Sequence, residues 1–175
     1  NNILKIYKKT NALLEGHFIL SSGLHSSIYL QSAIVLSYPW YLKIVSKSLA
    51  DLIQSKLNIN DIDVIVSPAM GGVVIGSKIG EELQKQSIFL ERVDGNLTLR
   101  RGFDIKKGLK VIIVEDVITT GKSSKECIVA LQKYKTEVLG VFSIVNRSMQ
   151  DVNFDVCTYS LLNLDAPLYQ ENQIP

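Results

Sequence analysis

Short continuous apolar runs alternate along this chain with longer stretches in which apolar residues recur every three to four positions. Val64-Ile65-Val66, Ile88-Phe89-Leu90, residues 111–114 and residues 138–145 are runs of the first kind. Runs this short and rich in Val and Ile predict strands covered on both faces, as in a parallel sheet. Amphipathic stretches lie between them. Pro39 opens a helix whose Trp40, Ile44, Val45, Leu49, Leu52, Ile53 and Leu57 form one apolar stripe. Further helices are predicted from after Gly72 to about Gln86 and over 123–134. Strand and helix in alternation imply βαβ units, hence an α/β fold with a mostly parallel sheet and helices on both faces.

The start of the chain reads differently. Ile3, Ile6, Leu13 and Leu14 fall near helical spacing over 3–14, and Gly16 ends that helix. HFILSSGLHSSIYLQSA, residues 17–33, is rich in β-branched and aromatic residues and is broken at Ser22-Gly23, predicting a hairpin or a bent strand pair. Residues 91–108 are polar and hold Gly95, Gly102 and Gly108, which reads as a loop. The organisation is therefore one domain over 1–175: an N-terminal subregion (1–35), an α/β core (36–165) and a tail (166–175) without informative pattern. A domain of 175 residues buries roughly 70% of its extended surface, so it needs no disulfide or structural metal.

Composition removes several classes of function. The chain is 46% hydrophobic and 21% charged with a net charge of +2, too small an excess to predict nucleic acid or an anionic membrane as partner. Cys127 and Cys157 have no metal-ligand spacing and suit reduced thiols. No apolar run reaches the roughly 18 residues of a membrane span, and residues 1–16 lack the pattern of a signal peptide. The expectation is a soluble, cytoplasmic protein.

The segment VIIVEDVITTGKSS, residues 111–124, carries the chemistry. Four apolar residues form a strand with Glu115 and Asp116 at its carboxyl end, where open α/β sheets bind ligands. Thr119, Thr120, Gly121, Lys122 and Ser123 then lead into a helix, offering backbone N–H groups and hydroxyls to an anion, with the helix dipole in support. A phosphate suits that turn, whereas the carboxylates would repel it and suit the vicinal hydroxyls of a ribose. No P-loop pattern occurs. The residues alone therefore suggest a ribose 5-phosphate.

Those residues resemble the ribose-phosphate signature of the type I phosphoribosyltransferases, with Val117 and Ile118 completing it. Three further segments resemble the orotate phosphoribosyltransferases in particular. Residues 16–31, GHFILSSGLHSSIYLQ, are similar to the N-terminal hood over the pyrimidine, which implies base contacts from Ser22 and Tyr29. SPAMGGVVIG, residues 67–76, is similar to the pyrophosphate loop, which implies that the backbone of Ala69, Met70, Gly71 and Gly72 binds the diphosphate and its Mg²⁺. Arg147, following Asn146 at a strand end, implies a bidentate hold on the orotate carboxylate, with Thr119 beside it. The resemblance spans roughly residues 10–165. It implies phosphoribosyl transfer from 5-phosphoribosyl-1-pyrophosphate to orotate in pyrimidine biosynthesis, with Mg²⁺ bound mainly through diphosphate and ribose, in a homodimer.

The chain also departs from that pattern. The mobile loop of most such enzymes holds Lys and His, whereas this one reads ERVDGNLTLRRGFD, with Arg92, Arg100 and Arg101. Arginines can neutralise developing diphosphate charge but cannot donate a proton near neutral pH. Loop 93–103 is expected to close over the site, with Glu115, Asp116 and Arg92 as the catalytic set. Ser21 and Gly71 stand where many members have Lys, and His17 and His25 are candidates to compensate. Two alternatives remain: transfer to another base such as adenine or xanthine, and a non-enzymatic nucleotide-sensing regulator on the same fold.

Overall fold

The computed structural model of the protein describes residues 2–19, 23–148 and 154–170. In chain order the elements are α1 (Asn2–Lys9), β1 (Leu13–Ile19), β2 (His25–Leu30), α2 (Ser32–Leu36), α3 (Pro39–Lys56), a 3₁₀ turn (Ile59–Asp61), β3 (Val64–Pro68), α4 (Gly71–Leu83), β4 (Gln86–Val93), β5 (Asn96–Leu99), β6 (Lys110–Ile118), α5 (Lys122–Gln132), β7 (Glu137–Asn146), β8 (Cys157–Asn163) and β9 (Leu168–Tyr169). The main sheet has the order β5-β4-β3-β6-β7-β8. Its pairs are parallel except β4–β5. Among the described residues no helix is long and apolar enough to cross a membrane.

Strand alternation creates two cores. Ile65, Ile112, Val114 and Phe142 pack with α1, α3 and α4 on one face, while Val64, Val66, Val111, Ile113 and Val141 pack under α5 on the other. The apolar runs were legible because both faces of these strands are covered.

Several boundaries differ from the sequence expectation for identifiable reasons. Helix α1 stops at Lys9 because Asn11 takes a left-handed φ of 56°. Ala12 N–H then reaches Tyr7 O and Asn11 N–H reaches Lys8 O, which is a Schellman closure. Leu13 and Leu14 accordingly belong to β1 rather than to the helix. Trp40, expected in the buried stripe, is 60% exposed, and Ile44 is exposed as well. The buried face of α3 instead takes in Ser46 and Ala50.

The polar stretch expected as a loop over 93–103 starts as a β-hairpin. Asp94 and Gly95 both have positive φ, 48° and 82°, the two-residue turn that matches strand twist, and Val93 pairs with Asn96 across it. Within the expected core, β8 extends the sheet beside β7. The expected tail is also partly structured: β9 pairs antiparallel with β2, joining the β1–β2 hairpin in a second small sheet.

Helix α4 lies close on β3 through Gly72 and Gly76, and on the start of β4 through Gly80. A Cβ on Gly76 would stand 2.1 Å from Ser67 Oγ, a buried hydroxyl with no hydrogen-bond partner among the described residues. Gly76→Ala is expected to lower unfolding free energy by about 1–3 kcal/mol in urea titration. Ser67→Ala alone should be near neutral, and the double variant should recover part of the loss.

Candidate active site

Strand order reverses between β3 and β6: the chain leaves β3 toward β4, and β6, β7 and β8 add on the opposite side. Ligands of open α/β sheets bind outside the carboxyl ends of the strands at such a point. Here β3 pairs with β6 only as far as Val66↔Ile113, whereas β6 stays paired with β7 up to Ile118↔Asn146. The strand thus runs four residues past the expected 111–114. Beyond Ile113 its β3 side is left to the turn that follows Pro68.

Glu115 and Asp116 point to opposite faces because they are neighbours on a strand. Asp116 follows the parity of Ile112 and Val114 and meets the turn before α4, where a Cβ on Gly71 would lie 2.6 Å from its Oδ1. Glu115 follows Val111 and Ile113 toward α5 and accepts a 2.9 Å hydrogen bond from Ser124 Oγ. The two acids therefore flank the crevice from its two sides.

Burial sets their electrostatics. Glu115 is 5% exposed. Desolvation pushes its carboxyl up to about 7, with a smaller rise from Asp116, while the Ser124 hydrogen bond acts against the rise. Asp116 is raised as well, by burial first, against hydrogen bonding from the Val117 backbone. Donors or positive charge placed between them would favour both ionised forms.

Glu115 and residues 117–124 line a cavity of about 40 Å³. Gly121, at φ 73°, is the N-cap of α5. Thr119, Thr120, Lys122 and Ser123 are exposed around it, so the first-turn amides of α5 face an open, hydroxyl-rimmed turn suited to phosphate. On the other side, Ala69 N–H is already donated to Leu90 O and is therefore not free for a diphosphate as expected. The first-turn amides of α4, from Gly71 and Gly72, remain for that purpose. Gly72 has no room for a side chain, since a Cβ there would stand 2.8 Å from the Val114 carbonyl oxygen. Met70 projects into solvent, 82% exposed.

Arg147 follows β7, and its N–H donates to Ile118 O at 2.9 Å, at the base of the turn before α5. Its Nη2 lies 3.4 Å from Ser26 Oγ on β2, bringing the hood strand over the crevice. Partial burial lowers the Arg147 pKa, though guanidinium stays charged. Tyr29, also on β2, packs on Phe18 of β1, with ring centroids 5.7 Å apart. Ser22 lies outside the described residues. His17 Nε2 and His25 Nδ1 are 2.6 Å apart and hydrogen-bond each other within the hood.

The loop arginines are engaged elsewhere. Arg92 donates to Gly95 O and to Glu126 on α5, and Arg101 makes a two-pronged pair with Glu91 at 2.8 Å for each bond. Arg100 is exposed and helps hold the Glu91 carboxyl below its usual range, after Arg101's larger effect. The structure thus brings Glu115, Asp116, 71–72, 117–123 and Arg147 together and leaves the arginines on the hairpin side. Ser26 and Ser124 are contacts that the sequence reading missed. Ser124 is the last residue of the recognised segment, but which face of α5 it occupies depends on where the helix starts. A larger cavity of about 530 Å³, beside α5 and residues 154–156, shares no residue with the crevice.

A carboxyl whose folded-state pKa is raised stabilises the fold below its ordinary pKa and loses that contribution as pH climbs through the folded value. For Glu115 the window runs from about 4.5 to about 7. Glu115→Gln should therefore gain on wild type between those limits, by up to about 3 kcal/mol, as read by urea denaturation at a series of pH values.

Comparison with known proteins agrees with this geometry. The family model described as a phosphoribosyl transferase domain matches residues 34–169. The orotate phosphoribosyltransferase of Thermotoga maritima is 46% identical over 173 residues, spanning 99% of this chain and 90% of the relative. That of Erythrobacter litoralis is 44% identical over 173 residues, spanning 99% and 89%. The crystal structure of the Aeropyrum pernix orotate phosphoribosyltransferase superposes with a TM-score of 0.78 at 25% identity, covering 93% of each chain. With a strand-order reversal flanked by two acids, and with relatives this similar over nearly their full length, the chain belongs to the orotate phosphoribosyltransferases within the phosphoribosyl transferase domain family.

Proposed function

We propose that the chain transfers the phosphoribosyl group of 5-phosphoribosyl-1-pyrophosphate to orotate, giving orotidine 5′-monophosphate and pyrophosphate. The observation that carries this reading is Arg147: a half-buried cation tied to the base of the phosphate turn and overlaid by the hood strand at Ser26. A planar guanidinium there suits a carboxylate on the base, and Thr119 heads the adjoining turn.

The bond from C1′ to the diphosphate oxygen breaks, and the bond from C1′ to the orotate ring nitrogen forms. Positive charge builds on the ribose ring meanwhile, as in other glycosyl transfers. Glu115 and Asp116 accept hydrogen bonds from the ribose hydroxyls and favour that charge from the two sides of the crevice. Residues 117–123 hold the 5-phosphate. The start of α4 holds the diphosphate through the Gly71 and Gly72 amides, which no side chain crowds. In this reading Mg²⁺ is carried mainly on diphosphate and ribose oxygens, with water completing its shell. When bound, Mg²⁺ would offset the charge of the departing diphosphate.

Arg92, Arg100 and Arg101 act electrostatically in this reading, exchanging Glu126 and Glu91 for the diphosphate as residues 93–103 close. Water is thereby kept from the donor. A cytoplasmic homodimer completes the reading, and the exposed Tyr38 and Trp40 give it an apolar surface to cover.

A panel of bases with phosphoribosyl pyrophosphate and Mg²⁺ should show turnover of orotate; turnover of adenine or xanthine alone would refute the assignment. Arg147→Ala should raise the orotate KM by about tenfold or more, the worth of a charged hydrogen bond. Asp116→Asn should cut kcat severely, and normal turnover in that variant would remove Asp116 from the ribose site.

A further inference from the structure

We propose that Ser124 is a positioning residue for the ribose-binding carboxylate. Its hydroxyl holds one oxygen of Glu115, leaving the other to the crevice that Glu115 lines. This rests on the reading of Glu115 as a ribose-binding group.

The geometry is specific. Ser124 is 1% exposed and Glu115 5%, so the 2.9 Å hydrogen bond between them is shielded from water. A buried carboxyl accepts whatever donor it finds, and a hydroxyl on the inward face of α5 fixes its side-chain torsions. The same helix supplies the amides of the phosphate turn, so Ser124 ties the carboxylate to the phosphate-binding element with two residues of chain between Gly121 and itself. Ribose and 5-phosphate contacts are thereby kept at one spacing.

The surroundings offer Glu115 little other help. Asp116, next on β6, opposes its ionisation. Cys127 on α5 is a buried thiol kept protonated by burial and by Glu115. β7 places uncharged Ser143 opposite in register, and Lys122 lines the same cavity. Ser124 is the hydrogen bond that works in favour of the charged form.

The test is a double-mutant cycle on the full chain, reading kcat and the KM for phosphoribosyl pyrophosphate from about pH 5.5 to about pH 9. Ser124→Ala should raise that KM about tenfold with a smaller change in kcat. Its acid limb should move to higher pH, because the ionised carboxylate has lost a donor. Ser124→Cys, close in size but a weak donor, should behave like the alanine variant. In the Glu115→Gln background, Ser124→Ala should add nothing, since its effect passes through Glu115. Additive losses, an unmoved acid limb, or a KM within about twofold of wild type in both Ser124 variants would overturn the proposal while leaving Glu115's role intact. An unchanged KM in Glu115→Gln would instead overturn the ribose-binding reading, and the proposal with it.

Discussion

The site depends on where two parallel strands part company. β3 and β6 stay paired through Val66↔Ile113 and no further, while β6 continues against β7 to Ile118. Had β3 followed β6 to its end, the space beside Asp116 would be filled by sheet. Because it turns away at Pro68, the start of α4 can approach β6 closely enough that glycine is needed at 71 and 72. The first turns of α4 and α5 then stand at the same crevice from opposite faces of the sheet, one suited to a diphosphate and one to a 5-phosphate.

The same parting decides the electrostatics. Two adjacent acids on a strand are driven to opposite faces, and each enters a partly apolar wall where ionisation is disfavoured. The two buried carboxyls are therefore unfavourable for the free fold, a common division between stability and function, and under the proposed function a ribose that builds positive charge would relieve that penalty. Ser124 moderates the conflict on one side, and backbone hydrogen bonding at Val117 does so on the other.

Much of this was legible in the residues. The buried strands announced themselves because parallel strands covered on both faces are continuously apolar, and the turn before α5 because small hydroxyl residues between two acids and a helix stand out from an ordinary connection. Other features escaped for physical reasons. The Asp94-Gly95 turn lay in a polar stretch whose strands are only half covered, so periodicity was faint. Asn11 ended α1 through a left-handed backbone that Asn tolerates but does not advertise. β8 and β9 are short or partly exposed and take their order from the strands they join.

The sequence by itself determined the fold class, the hydroxyl-rich turn after β6, and the residue types that the site has available, because those follow from period, composition and local chemistry. Only the tertiary structure decided which of those groups meet. Arg147 and Ser26 are 121 positions apart, and local pattern carries no information about such a contact. Likewise, Glu115 and Asp116 read as a pair along the chain, yet the pleat separates them and the packing of α4 and α5 gives each its own neighbours. The arginines of residues 92–101 read as cations for a diphosphate, while in the folded chain Glu126 and Glu91 lie near enough to hold two of them.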